Sequence, residues 1–348
     1  AQVLRTAKSF RVNDMKHLRE KSNDLSTSQE LSLGTEDPVC RIRGEIYRGA
    51  LRDLVQMDLK PSRSSSTVNS KKVSSEELSA RYPTILFSPE SLAAIKTGPE
   101  IRRNLLDDAV RLSTPQARPA FADFVKVLKS RNRVLRDMGS GLIPATQGLA
   151  LLESLLPSFI SPALEVIRWR QDALERLNPF FQFATRDILG VSGLEVELRY
   201  ELMDDADLVK SASEAGSFLQ KRLEQMAPAE RSLGSTLVGP HRHDLTFLYT
   251  GNDARFFCSQ GQQRTLILAF KIAQIVYHGA IHNTYPLLIL DDVLSELDME
   301  KRQSLVRFLK SLETQTLLTT TDISVSAEVQ SENLVVMNVS NGRVSVGN

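Results

Sequence analysis

Two acids stand side by side at the end of an apolar run in PLLILDDVLSELDMEKR, residues 286–302. Leu287 to Leu290 reads as a buried strand that delivers Asp291 and Asp292 to one place. Adjacent carboxylates repel, and burying them is costly, so the pattern is most useful where a cation or a reacting water needs them. Magnesium takes one or two carboxylates together with waters and phosphate oxygens. Asp291 is therefore the candidate Mg2+ ligand, and Asp292 the candidate for polarising an attacking water in phosphoryl transfer. The plainer alternative is a strand end whose two acids meet solvent.

Upstream, FFCSQGQQRTLILAFKIAQIV (256–276) passes from a strand-like segment into a helical period. Ser259, Gln260, Gly261 and Gln262 fall at the helix start, where unpaired backbone N–H groups and the positive end of the dipole favour an anion. Ser259 as an ordinary N-cap explains the same residues. A nucleotide hydrolase also needs a phosphate-cradling GxxxxGK[ST] loop, and no stretch of the 348 residues matches it. His241 with His243, and His278 with His282 at i, i+4, suggest metal ligation, but no cysteine or carboxylate is spaced to complete a site; they read as satisfied or surface histidines. In VKVLKSRNRVLR, Lys126, Lys129, Arg131, Arg133 and Arg136 crowd one helical stretch, suited to tracking phosphates without reading bases or simply to facing solvent. Trp169 and Tyr82 are too isolated for a base-stacking platform.

The surrounding elements alternate in type. A chain of 348 residues suits two domains, and two cysteines, Cys40 and Cys258, make no disulfide framework, pointing to a reducing compartment such as the cytoplasm. No apolar run reaches the length of a membrane span, and the start lacks a signal-peptide profile. A net charge of +1 makes no global case for nucleic acid, although residues 1–21 are locally basic. VCRIRGEIYRG and LRDLVQMDLK read as strands, and STVNSKKVSS as a hairpin turning at Asn69-Ser70. From FSPESL (87–92) the period becomes helical, with a long apolar stretch up to Phe183 broken by Pro157, Pro162 and Pro179. Strands return at GLEVELRYEL (193–202), and SEAGSFLQKRLEQMA forms a further helix. DLTFLYTGNDARFFC reads as a hairpin around Gly251-Asn252-Asp253. A helix over about 260–281, the acid-bearing strand, a helix near 299–313 and the further strand TQTLLTTTD follow. Helices in the middle read as an insertion into a domain made from both ends.

The helix start, the twin-acid strand, SELD at 295–298 and a strand ending in TTTD resemble the second half of an ATP-binding-cassette head. More narrowly, GPHRHDL (239–245), SQGQQRT (259–265) and LLILDDVLSELD (287–298), with KSFR (8–11), FSPESL and RNRVLRDM (131–138), resemble the RecF family of DNA repair proteins over nearly the whole chain. The resemblance implies an α/β ATPase head, a mixed sheet with helices, carrying an inserted, mainly helical arm. Residues 1–88 and 235–348 would form the ATPase lobe and 89–234 the arm. In that family the phosphate loop lies just upstream of the KSFR segment, so the chain is expected to begin inside the helix that follows the loop.

The resemblance further implies ATP sandwiched between two copies. Ser259, Gln260, Gly261 and Gln262 would contact the γ-phosphate held by the partner, and Ser295 and Asp298 would lie on the loop between the two sites. Thr321 stands where many cassette ATPases carry a switch histidine. A hydroxyl there, with Asp292 in place of a longer glutamate, implies slow hydrolysis. The family usually has an acid where this chain has His243. Implied partners are duplex DNA and single-strand/duplex junctions, a second copy in the presence of ATP, the mediators RecR and RecO, and indirectly the RecA recombinase, with no membrane. The implied role is a clamp in recombinational repair of gapped DNA, replication and the SOS response. Alternatives are a non-hydrolysing DNA- or protein-binding module and a transporter-type cassette.

Overall fold

The computed structural model describes residues 40–59, 64–188, 190, 195–202, 212–312, 314–321, 334–340 and 343–346. The KSFR motif, the basic stretch 1–21 and Asp322 lie outside the described residues. Two compact units are present: Ala1–Leu86 with Pro286–Ser295 and Leu309–Asn348, and Phe87–Tyr285 with Glu296–Phe308.

The first unit opens with strands β1 (Cys40–Arg48), β2 (Leu51–Leu59), β3 (Ser64–Val68) and β4 (Lys71–Val73), an antiparallel meander in that order. Alternation along β2 buries Asp53, Val55, Met57 and Leu59 on one face. Asn69 and Ser70 both have positive φ, +49° and +67°, as a two-residue hairpin turn of the primed type requires, so the sequence reading of the turn holds. Helix α1 (Ser75–Arg81), capped reciprocally by Ser74 and Glu77, adds Leu78 to a cluster with Val55, Val68 and Tyr82. Burying Asp53 in this cluster is made tolerable by hydrogen bonds from the Tyr82 hydroxyl at 2.9 Å, Asn69 at 2.9 Å and Arg81 at 2.8 Å. Strand β5 (Thr84–Phe87) follows.

The second unit is mainly helical: α2 (Pro89–Leu92), α3 (Pro99–Ser113), α4 (Arg118–Gly139), α5 (Ala145–Ser154) and α6 (Leu156–Phe183). One helix ends at Ser154 and the next begins at Leu156, so the apolar stretch is broken just ahead of Pro157, as its sequence suggests, but not at Pro162 or Pro179. Pro157 lies in the first turn of α6, where no intrahelical donor is lost, while Pro162 and Pro179 lie inside the helix. Their cost is offset by a buried face of Phe159, Ala163, Val166, Ile167, Ala173, Leu174, Leu177 and Phe181 at helical spacing. The unit continues through β6 (Val196–Glu201), α7 (Ala212–Leu233), β7 (Asp244–Tyr249), β8 (Asn252–Asp253), α8 (Ala254–Phe257) and α9 (Gln260–His282). Pro228 likewise lies within α7, which outruns its expected end. Strands β6, β7 and β8 pair antiparallel, but ARFF, expected as the second hairpin strand, is the helical turn α8 because Asp253 caps it by accepting the Arg255 N–H. By length and composition α9 is apolar enough to cross a membrane, contrary to the sequence reading. In this protein 72% of that window is buried, which makes it a core helix.

The chain then contributes β9 (Leu287–Asp291) to the first unit, α10 (Met299–Lys310) mainly to the second, and β10 (Thr316–Thr319), β11 (Met337–Ser340) and β12 (Arg343–Val346) to the first. Strand β9 is central in the order β10-β9-β5, runs parallel to β10 and is buried at every residue. Burial on both faces explains why Leu287 to Leu290 are all apolar instead of alternating.

Within the second unit α4 is tied to α7 through charge. Arg131, 5% exposed, donates to Glu230 at 2.6 Å, and the other Glu230 oxygen accepts the Leu237 N–H at 2.8 Å. Removing one partner of a buried pair strands the other charge, at a cost of about 3–5 kcal/mol, whereas replacing both by apolar residues is often near neutral. Arg131→Met is therefore expected to lower the unfolding free energy by roughly 3 kcal/mol or more, and Arg131→Met with Glu230→Met to recover most of it. Urea denaturation of the two variants checks this; equal losses would mean that the pair does not hold the helices together.

Candidate functional site

In the first unit, the end of β9 brings Asp291, Asp292, Thr319 and Ser295 together. Asp291 is buried, and its Oδ1 accepts the Thr319 hydroxyl at 2.8 Å. Asp292 follows with φ of +52°, a left-handed conformation that aspartate tolerates better than most residues and that turns the chain sharply off the strand. The turn is held at both ends: the Asp292 N–H donates to the Thr319 carbonyl at 3.1 Å, and the Ser295 hydroxyl donates to the Asp292 carbonyl at 2.8 Å. Asp292 Oδ1 is buried with no hydrogen-bond partner among the described residues. A buried carboxylate oxygen of this kind suits a cation or a water. Two acids, one of them with an unmatched oxygen, fit a magnesium ion that also binds phosphate and water. Among the described residues, no group of three or more His, Cys, Asp or Glu converges as a self-sufficient metal cage. Thr321 is exposed, two residues past β10. The hydroxyl that touches Asp291 is Thr319, which sequence reasoning passed over because parallel pairing with β9 alone sets Thr319 opposite Asp291.

In the second unit, Ser259 caps α9 and forms a capping box with Gln262: the Gln262 N–H donates to Ser259 Oγ at 3.3 Å, and the Ser259 N–H to Gln262 Oε1 at 2.8 Å. The plain N-cap reading is thus fulfilled, and it leaves Ser259, Gln260, Gly261 and Gln262 all exposed at the start of a 23-residue helix. The two readings coexist, since an exposed capped end retains the dipole that attracts an anion. Gln263, 3% exposed, is the residue behind this geometry. Its side-chain amide donates to the Ala254 carbonyl at 2.8 Å and the Cys258 carbonyl at 3.2 Å, joining α8 to α9. Asp298 caps α10, accepting the Lys301 N–H at 3.0 Å and pairing with its ammonium, which lowers the carboxyl pKa.

Charge anchors this region from behind. Asp244 accepts from Arg102, at 2.6 and 3.0 Å, and from Arg255 at 3.2 Å, and Arg255 also holds Asp253. Arg102 is 2% exposed, and a buried guanidinium needs this match. Arg170 pairs with Asp107 at 2.7 Å and donates to the Tyr200 hydroxyl at 3.1 Å; Tyr200 in turn lies 2.7 Å from His243 Nδ1. With Arg170 donating to it, the tyrosine gives its proton to Nδ1, fixing His243 as the neutral Nε2–H tautomer. Burial, aided by the Arg170 charge, lowers the His243 pKa to about 3, and burial lowers that of His241 to about 4. His278 and His282 meet the carbonyls of Thr284 and Ser113, each at 2.9 Å.

On α4, Lys126, Lys129, Arg133 and Arg136 are exposed and, at 100° per residue, fall within about 80° of one another on one face. Arg131 is not on that face; it points inward to Glu230.

No protein-family model matches the sequence. A RecF protein of Citrifermentans bemidjiense is 32% identical over 283 residues, which cover 81% of this chain and 75% of that protein. The chain belongs to the RecF family. RecF of Lactobacillus johnsonii is 32% identical over 311 residues, covering 87% of this chain and 80% of the relative. Solved structures of the recombination mediator RecF bound to ATP, and of its ATPrS form, superimpose with TM-scores of 0.81 and 0.79 at 24% identity, covering 100% and 99% of this chain. The expected α/β ATPase-head class with a helical insertion is the RecF fold seen here.

The buried histidines generate a pH test. Between about pH 4 and 6.5 the unfolded chain binds protons that folded His241 and His243 do not, so stability rises with pH in that window and falls on acidification. The lowered aspartate pKa values, as at Asp253, take effect only below about pH 5, under the range of the test. Thermal melts of the parent should drop between pH 7 and 5, and His243→Gln should flatten that drop. A variant with the parent's full pH slope would show that His243 is not held neutral.

Proposed function

We propose that this RecF family member is a slow, ATP-dependent DNA clamp in recombinational repair of gapped DNA, also serving replication and the SOS response. ATP drives two copies together on duplex DNA or at single-strand/duplex junctions, and hydrolysis releases them. RecR, RecO and, indirectly, RecA are the proposed partners, and the cytoplasm the compartment. The observation that carries the reading is the presence of both ends, each in its own unit: an exposed, capped Ser259–Gln262 helix start and a β9 end whose Asp292 Oδ1 is buried without a hydrogen-bond partner among the described residues. Residues 1–88 and 235–348 serve as the ATPase lobe and 89–234 as the arm.

Asp291 and Asp292 would hold Mg2+ and position water, with Asp291 as the metal ligand. The ion, when bound, supplies charge neutralisation for the transferring phosphoryl group. Thr319 fixes the Asp291 carboxylate, and the turn held by Ser295 fixes Asp292. Of Ser259, Gln260, Gly261 and Gln262, the Gln260 and Gly261 N–H groups and the Ser259 hydroxyl are offered to the partner's γ-phosphate, while the Ser259 and Gln262 N–H groups close the capping box beneath them. Ser295 and Asp298 lie on the loop between sites, and Thr321 lacks the basicity of a histidine, in keeping with slow turnover. Lys126, Lys129, Arg133 and Arg136 form a phosphate-tracking row on the arm.

In the full-length protein, Asp292→Asn should slow hydrolysis at least tenfold and accumulate an ATP-bound dimer by sedimentation, because Asp291 is untouched while water activation is lost. Hydrolysis at the parent rate would remove Asp292 from this role. Ser259→Arg should abolish ATP-dependent dimerisation and hydrolysis by placing a bulky cation where the opposite γ-phosphate docks. Mixing it with Asp291→Asn leaves one composite site whole, so partial recovery of ATPase is expected. A Ser259→Arg protein that dimerises and hydrolyses like its parent would refute the trans contact.

A further inference from the structure

The turn immediately before the capped helix start carries two phenylalanines on its outside. Phe256 is 78% exposed and Phe257 67%, an adjacent aromatic pair left in water. Single exposed apolar residues need no explanation, but an aromatic pair does, because aromatic surface is what interfaces bury most profitably.

The backbone that carries the pair is also held stiffly. Asp253 caps the turn, the Cys258 N–H closes it on the Ala254 carbonyl at 3.3 Å, and Gln263 ties both ends of it to α9. Arg255, the residue before the pair, is clamped by Asp253 and Asp244, with its guanidinium 5.5 Å from the Phe256 ring centre. A rigid aromatic anchor loses little conformational entropy on docking, the property that marks residues dominating an interface. Its place in the chain then identifies the occupant. Ser259, two residues on, is exposed, and Gln263 ties the turn to the same helix, so a protein surface that docks on Ser259–Gln262 comes within about 7 Å of the pair along the chain.

We propose that Phe256 and Phe257 are an aromatic contact for a second copy of this chain, covered when the partner's nucleotide seats on Ser259–Gln262. This rests on the dimer reading above and deepens it: the phosphate contact supplies nucleotide dependence, and the aromatic pair supplies apolar area that persists after the phosphate contact forms. No charge in the pair competes with the nucleotide.

The test uses the full-length protein. Phe256→Ala with Phe257→Ala should melt within about 2 °C of the parent, since both side chains are already in water. Its ATP-dependent dimerisation, read by sedimentation, should weaken at least tenfold. A photo-crosslinking phenylalanine analogue placed at 256 should give a covalent dimer of this chain only when ATP is present. Dimerisation of the double variant at parent strength, or crosslinking at 256 that ignores ATP or captures DNA instead, would overturn the proposal while leaving the Ser259 contact standing. A parent that stays monomeric with ATP would overturn both.

Discussion

A buried guanidinium has to find a carboxylate, and much of the second unit is arranged by that requirement. Arg102 meets Asp244, Arg131 meets Glu230 and Arg170 meets Asp107, each pair linking elements far apart in the chain. Apolar packing alone tolerates small slips of one helix along another, but a desolvated ion pair does not, because a slip of one residue strands both charges. The pairs thereby fix α3 and β7, α4 and α7, and α6 and α3 in one register. Asp244 extends the fixation through Arg255 and Asp253 to the turn on which the capped helix start depends.

A second constraint shapes the first unit. Strand β9 is buried at every position and ends in two acids, so apolar burial and charge meet within one residue of each other. Thr319 takes up part of that conflict by donating to Asp291. The left-handed backbone at Asp292 takes up more, by turning the chain off the strand at once. An unusual backbone and a buried carboxylate oxygen unmatched among the described residues coincide at Asp292, a combination that costs stability locally.

The membership in the RecF family joins these two local arrangements to a known class of molecule, and the chemistry of each is what makes the joined reading coherent. A capped helix start can bind a phosphate only if it stays uncovered, which Ser259 to Gln262 do. A row of cations can follow a DNA backbone only if it lies on one face, as Lys126, Lys129, Arg133 and Arg136 do. The buried histidines of the GPHRHDL segment, by contrast, are framework: His243 is held neutral between Tyr200 and the Arg170 charge.

Sequence by itself determined the local elements whose causes are local. The Asn69-Ser70 turn, the α9 start at Ser259, the all-apolar β9 strand and the adjacency of Asp291 and Asp292 were legible because turn chemistry, capping and periodicity act within a few residues. The motifs around Ser259 and Asp291 also carried the family resemblance. What tertiary structure decided were the matters that depend on distant partners. Pro162 and Pro179 sit within a continuous helix because long-range packing outweighs a local penalty. Arg131 turned inward because Glu230, 99 residues away, needs its charge. Thr319 reached Asp291 because the β9–β10 register placed it there, and Gln263 became the staple behind the helix start because α8 formed a helical turn where a strand had been expected. Each depends on a desolvated polar group finding its match, and the identity of that match is set by folding, not by neighbouring residues.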